Sequence, residues 1–264
     1  MRLHGEFDSI LAKVAAMKNK IVQAGVLAAL LCCGCAVMEE SQKNASYHYQ
    51  MGVSNLLEKN YTKALVELTE AEKLNADDPD LQNQLGQAYF FKKKFEIAEQ
   101  KYLRALELRP QFSEARNNLG VNYLEMQRWD DAIQQLKLAA DDIFYQNHDD
   151  ASMNLALAYL GKGDNGTALA TLRPVVARNP RNPIAHVNLG RIYSAEGRDG
   201  LAIAEFTRAV EIKRDFAMAY YYLGLTHLKA KDMPLAQKAF EEVVRIAPDT
   251  EIGQLSREYI DVLK

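Results

Sequence analysis

Within residues 79–112 the apolar and small side chains fall at Leu85, Gly86, Tyr89, Ala98, Tyr102, Ala105 and Leu106, with Pro110 after them. Steps of three and four put these positions on one face of each of two consecutive helices, A and B. Gly86 predicts the point where helix B approaches helix A closely, with Ala98 as its small partner. Tyr89, Tyr102 and Leu106 fill the space around that contact. Pro110 stops helix B, because proline has no N–H to continue the ladder. The pattern recurs. The small residue of helix A falls at Gly52, Gly86, Gly120, Ala156, Gly190 and Gly224, spaced by subtraction at 34, 34, 36, 34 and 34 residues. The helix B alanine recurs at Ala64, Ala98, Ala132, Ala168, Ala202 and Ala236. After the last pair, Ile252, Leu255, Tyr259, Ile260, Val262 and Leu263 trace one apolar stripe over 251–264. This predicts an amphipathic helix that covers the open end of the array.

Leu85-Gly86, Tyr89, Ala98, Tyr102, Ala105 and Pro110 resemble the skeleton of a tetratricopeptide repeat, a helix–turn–helix unit of about 34 residues. The resemblance implies an all-α solenoid of six repeats (45–78, 79–112, 113–146, 149–182, 183–216 and 217–250) in a right-handed superhelix, with 251–264 as its cap. Stacked repeats share a continuous core, so 45–264 is expected to form one elongated domain. The first and fourth repeats match least well, with Asn55 where tyrosine is usual and Ala156 in place of glycine. Trp129 stands at the turn position also held by Tyr61 and Phe95, where it should pack the helix A–helix B corner. Pro174 should kink or shorten the helix that contains it.

The N-terminal region departs from this pattern. Residues 1–16 match nothing that follows. From Met17 there is a short basic segment with Lys18 and Lys20, then an apolar run, Ile21 to Leu31, interrupted by one glutamine. That run has the length of a signal-peptide core and is too short to span a bilayer. Met17 reads as the true start and 1–34 as a signal peptide, the alternative for 1–16 being a short ordered helix. Cys32, Cys33 and Cys35 are the chain's three cysteines. Leu31-Cys32-Cys33-Gly34-Cys35 resembles a bacterial lipobox, with Leu31 one place early. The resemblance implies that Cys35 is lipidated and anchors the protein to a membrane, residues 35–44 forming a polar tether. The alternative is an ordinary signal peptide, cleaved or uncleaved. Ala36 after the cysteine, where aspartate retains lipoproteins in the inner membrane of Gram-negative cells, implies the outer membrane.

Charge narrows the class of partner. The chain carries −3 in all, +2 of it within 1–34, which leaves a mildly acidic repeat region without the basic stripe a nucleic-acid partner requires. No catalytic motif is present: no G-x-S-x-G, H-E-x-x-H, P-loop or dinucleotide glycine fingerprint. No cofactor is implied, and the chain is not expected to be an enzyme. His48, His186 and His227 fall on repeat positions that hold packing residues. Asp141, Asp142, Asp149, Asp150 and His148 cluster where the spacing grows by two, but they fit no metal-loop template. Asp149 or Asp150 reads as the N-cap side of the next helix.

The informative constellation lies two residues before each small residue of helix A: Gln50, Gln84, Asn118, Asn154, Asn188 and Tyr222. The repeat resemblance places this position on the concave groove. Exposed carboxamides at one-repeat spacing could bind the backbone of an extended peptide, since each amide both donates and accepts. The alternative is that Asn-Leu-Gly is simply common in such repeats. Phe90, Phe91, Leu124 and Leu160 would grip the partner's apolar side chains. The lysines and arginines of a clamp for chaperone C-termini are missing, Arg191 standing isolated.

Lipobox, tether and six repeats together resemble the outer-membrane pilotin lipoproteins of type IV pilus systems, over Met17 to Lys264. The distinctive stretches are Asn117-Asn118-Leu119-Gly120, the long junction from Asp141 to Asp150, and Met153-Asn154-Leu155-Ala156. The resemblance implies binding of a secretin-like subunit and its delivery to, or assembly in, the outer membrane. A periplasmic scaffold for envelope or cell-wall enzymes, or a subunit of another export system such as exopolysaccharide secretion, is the other reading.

Overall fold

A computed structural model describes residues 42–263, so the expected signal peptide, Cys35 and most of the expected tether lie outside the described residues. Thirteen helices and no strand occur among the described residues. They fall into two compact units that divide between Lys92 and Lys93. The first contains α1 (residues 42–57), α2 (Tyr61–Leu74) and α3 (Pro79–Phe91). The second contains α4 (Phe95–Leu108), α5 (Ser113–Glu125), α6 (Trp129–Ala140), α7 (His148–Lys162), α8 (Asn165–Arg178), α9 (Pro183–Ala195), α10 (Asp199–Ile212), α11 (Ala217–Lys229), α12 (Met233–Ile246) and α13 (Glu251–Leu263). From α1 to α12, odd-numbered helices are the predicted A helices and even-numbered ones the B helices.

Local sequence sets the boundaries. Asp78 accepts hydrogen bonds from the backbone N–H of Asp80 and Leu81, and Asn182 does the same for Ile184 and Ala185. Each is followed by a proline at the first helical position, where the missing N–H costs nothing. The A–B turns share one left-handed residue, seven positions after the small residue: Lys59, Lys93, Gln127, Gly163, Gly197 and Lys231. Glycine adopts this conformation without strain, but four of the six repeats place a side chain there.

The close approach of paired helices follows the predicted glycines, with a partner other than the expected alanine. A Cβ on Gly190 would lie 2.5 Å from the Phe206 ring, and one on Gly224 would lie 2.7 Å from the Phe240 ring. Leu68 covers Gly52 and Leu136 covers Gly120 in the same way. The glycine therefore makes room for a large, fully buried side chain sixteen positions later. The helix B alanines are equally buried, but it is the bulky residue one turn further on that lies over the missing Cβ.

Within the second unit, consecutive helices pack against one another, and each A helix also touches the next: α5 with α7, α7 with α9, α9 with α11. Among the described residues of this unit no B helix packs on another B helix. The A helices thus form the inner row. The cap α13 packs on α12 and reaches α11, with Tyr259 stacked on Phe240 at 4.8 Å. Gly253 lets its first turn lie against the Ala247 carbonyl, and Arg257 donates to the Pro248 carbonyl at 2.6 Å.

Three local expectations are revised. Trp129 packs across the repeat boundary: a Cβ on Gly161, in the following A helix, would stand 2.6 Å from its indole. Tyr61 makes the equivalent reach to Phe91, the rings stacked at 4.6 Å. Pro174 does not shorten its helix, since α8 runs for 14 residues, as do α4, α10 and α12. Pro174 and Ala170 are exposed, so the carbonyl that loses its donor can be hydrated. At the long junction Asn147, not an aspartate, is the N-cap of α7, and Asp149 and Asp150 lie in its first turn, where the helix dipole favours them. Asp149 pairs with Arg178, while Asp142 accepts from the Ser113 hydroxyl and the Phe144 N–H. That fixes a turn in which Ile143 and Phe144 are 82 % and 87 % exposed.

The Trp129–Gly161 contact is open to a double-mutant cycle. Gly161→Ala is expected to destabilise the protein by about 1–3 kcal/mol through overpacking. In a Trp129→Leu background the same change should cost much less, giving a coupling energy of at least about 0.5 kcal/mol in denaturant melts. Additive effects would show that the indole does not press on Gly161.

Candidate functional site on the inner helix row

The row of amides predicted to face the groove is graded in exposure. Gln50 on α1 is exposed and Gln84 on α3 is half-buried, both in the first unit. In the second unit Asn118 and Asn154 are half-buried and Asn188 is 5 % exposed. In the second unit the expectation of freely exposed amides fails because A helices touch along the inner row, so this position lies in the seam between them. Asn154 Nδ2 donates to Asn117 Oδ1 at 3.0 Å, tying α7 to α5. The Asn154 carbonyl oxygen is not used by that bond.

The predicted apolar grips divide similarly. Leu124 and Leu160 are half-buried. Phe91 is half-exposed, but its ring is occupied by Tyr61, and Phe90 meets Phe91 edge-on at 5.5 Å. Leu160 lines a cavity of about 540 Å³ together with Arg191, Phe206, Tyr222, Leu225 and Lys229. Tyr222, the sixth member of the row and the one that is not an amide, forms part of its wall, its ring stacked on Phe206 at 5.6 Å. The sequence named the Tyr222 position but gave no reason to connect it with Arg191 or Lys229.

A second periodic feature was missed. Four residues before the small residue stand Gln82, Arg116 and His186, and each donates back to the carbonyl that closes the preceding helix B. Gln82 donates to Ala76 at 3.0 Å, Arg116 to Pro110 at 2.7 Å, and His186 Nε2 to Pro180 at 3.0 Å. His186 also bonds Glu205 through Nδ1 at 2.6 Å, as His48 bonds Glu67 at 2.8 Å. These histidines are polar bridges between helices rather than the packing residues expected of them. Glu67 and Glu205 share a repeat position, a regularity that the sequence displays and that could have revealed the pairs.

Among the described residues no group of three or more His, Cys, Asp or Glu side chains is arranged to hold a metal ion. No described helix is long and apolar enough to cross a membrane.

Models of the tetratricopeptide repeat match residues 83–147, 153–215 and 218–250, more than half of the chain. The chain belongs to the tetratricopeptide repeat family. Such a chain is a scaffold for binding protein, built from helix pairs. Among curated proteins it is 34 % identical over 70 residues to the chloroplastic tetratricopeptide repeat domain-containing protein PYG7 of Arabidopsis thaliana, covering 26 % of this chain and 23 % of that one. It is 28 % identical over 96 residues to DnaJ homolog subfamily C member 3 of Rattus norvegicus, covering 36 % of this chain and 19 % of that one. These matches thus span about a fifth of the relatives' own length. Among solved structures, PilF of Pseudomonas aeruginosa superimposes with a TM-score of 0.64 at 18 % identity, covering 83 % of this chain and 99 % of that one. PilW, described as a widely conserved type IV pilus biogenesis factor, gives 0.70 at 19 % identity, covering 80 % and 97 %. A tetratricopeptide repeat protein of Parabacteroides merdae gives 0.72 at 16 % identity, covering 83 % and 84 %. At these identities the likeness is one of fold.

The His186 bridge yields a stability test. His186→Ala leaves the Pro180 carbonyl and the Glu205 carboxylate without their donor, at an expected cost of about 1–3 kcal/mol. His186→Gln keeps one donor group and should cost less. Equal melting midpoints for all three proteins would show that the two bonds contribute nothing to repeat five or to its junction with repeat four.

Proposed function

We propose that this chain is a pilotin-like factor: a non-enzymatic, lipid-anchored protein that binds an extended segment of a secretin-like subunit along its inner helix row, at the periplasmic face of the outer membrane. The observation that carries this reading is the inner row itself. In the second unit α5, α7 and α9 stand side by side, with half-buried Asn118 and Asn154 and buried Asn188 at the same repeat position on successive helices. Leu124 and Leu160 are half-buried on the same helices. A backbone laid across the seam would meet amides that accept from its N–H groups and donate to its carbonyls, with apolar walls for alternate side chains. The likeness to PilF and PilW, which covers almost the whole of each of those chains, supports the same reading at the level of fold. The lipobox-like Gly34-Cys35 supplies the anchor.

The binding test uses Asn118→Ala with Asn154→Ala, leaving the buried Asn188 untouched. At about 0.5–1.5 kcal/mol per hydrogen bond, the pair should weaken binding of a purified secretin subunit by about 1–3 kcal/mol in a titration. Circular dichroism should report an intact helical fold. Unchanged affinity with the fold intact would move the partner to another face. For the anchor, mass spectrometry of the mature N-terminus should find Cys35 acylated and first in the chain. Cys35→Ser should shift the protein from the membrane fraction to the soluble one, and an unmodified N-terminus elsewhere would remove the anchor from the proposal.

A further inference from the structure

The second unit changes chemistry along its inner row. Helices α5 and α7 carry Glu114, Glu125, Asp149 and Asp150. Helices α9 and α11, which pack on each other, carry no carboxylate at all. Their arginine and lysine side chains are Arg191 and Lys229, both lining the cavity of about 540 Å³. Lys229 is tied back, donating to Asp199 at 2.8 Å. Arg191 is different. Its guanidinium lies 5.4 Å from the centroid of the Tyr222 ring, and among the described residues no carboxylate pairs with it. A half-buried guanidinium held against an aromatic face keeps all five donors and its full charge while its orientation is limited by the ring. Beside it stand the apolar walls of Leu160, Leu225 and the Phe206–Tyr222 stack, with Ser194 and Thr226 also in the lining.

The amide row ends here as well. The half-buried Asn118 and Asn154 are suited to any backbone, Asn188 is buried, and the next member is Tyr222, beside a cation. An acceptor of one sign is thus built into the end of a row otherwise indifferent to sequence. We propose that the cavity between α9 and α11 recognises an acidic residue adjoining a large apolar residue in the bound segment, the carboxylate meeting Arg191 and the apolar side chain entering the cavity against Tyr222, Leu160 and Leu225. This specificity rests on the peptide-binding reading of the inner row. It selects an acidic segment despite the acidic balance of the repeat region, because attraction is set locally where charges are screened over about 8–10 Å.

The test is a selection of 12-residue random peptides displayed on phage against the immobilised full chain, in wild-type, Arg191→Gln and Arg191→Lys forms. Wild type should enrich peptides with Asp or Glu next to Phe, Tyr, Leu or Met. The lysine variant should retain that preference more weakly, and the glutamine variant should lose it while still selecting the apolar residue. One enriched peptide and its Asn or Gln counterpart are then titrated. Removing the acid should weaken binding about tenfold on wild type, as befits a charge-assisted hydrogen bond, and should change nothing on Arg191→Gln. Enriched peptides without an acid, or an acid whose effect survives Arg191→Gln, would overturn this inference and leave the inner-row reading standing. If no peptide is enriched by any form, the inner-row reading falls and this inference falls with it.

Discussion

The fold depends on a contact between a bare helical backbone and a large side chain. At Gly52, Gly120, Gly190 and Gly224 the space of a missing Cβ is filled by Leu68, Leu136, Phe206 and Phe240. Each is fully buried, so the apolar area it removes from water is recovered only if the two helices approach to that distance. Ala156 tolerates the same geometry with one methyl group more, facing a helix whose corresponding residue, Leu172, is also fully buried. Once a pair is closed, the first turn of the next A helix is fixed by polar bonds across the repeat boundary: Gln82, Arg116 and His186 each reach back to the end of the preceding B helix. The inner row then follows from the stacking of pairs already formed.

Much of this was legible because period is a collective signal. Six glycine or alanine positions and six alanines in phase define the helix pairs without help from any one residue, and the stripe of Ile252, Leu255 and Tyr259 was enough to predict α13. What escaped was pairwise. Gly120 announces a close approach but not which residue makes it, since Ala132 and Leu136 lie one turn apart on the same helix. Trp129 could be assigned to the core from its size, yet its partner Gly161 is 32 residues away by subtraction and lies in the next repeat. Pro174 does not shorten α8, which keeps 14 residues, and with Pro174 and Ala170 exposed the carbonyl left without a donor can be hydrated.

The candidate site was legible as positions and not as surroundings. The repeat placed Gln84, Asn118, Asn154 and Asn188 in one row, but nothing in the sequence gave the distance between neighbouring A helices, which decides how far those amides are buried. Seam amides serve two masters: Asn154 holds α7 to α5 through its N–H group and keeps an oxygen for another partner. Arg191 looked isolated in the sequence because it was sought as part of a periodic clamp. It gains meaning from Tyr222, one repeat on, and from two adjoining helices free of carboxylates.

The one-sided pattern of helix contacts gives the second unit a mechanical character. With A helices touching and B helices meeting only the A helices on either side, the inner row is the line about which the second unit would hinge. Bending about that line would open contacts between a B helix and the next A helix, such as Trp129 over Gly161, whereas pulling the inner row apart would break bonds such as Asn154 to Asn117. A chain segment wedged between α9 and α11 would press on that hinge line itself, so occupancy there would register as a change of curvature along the stack.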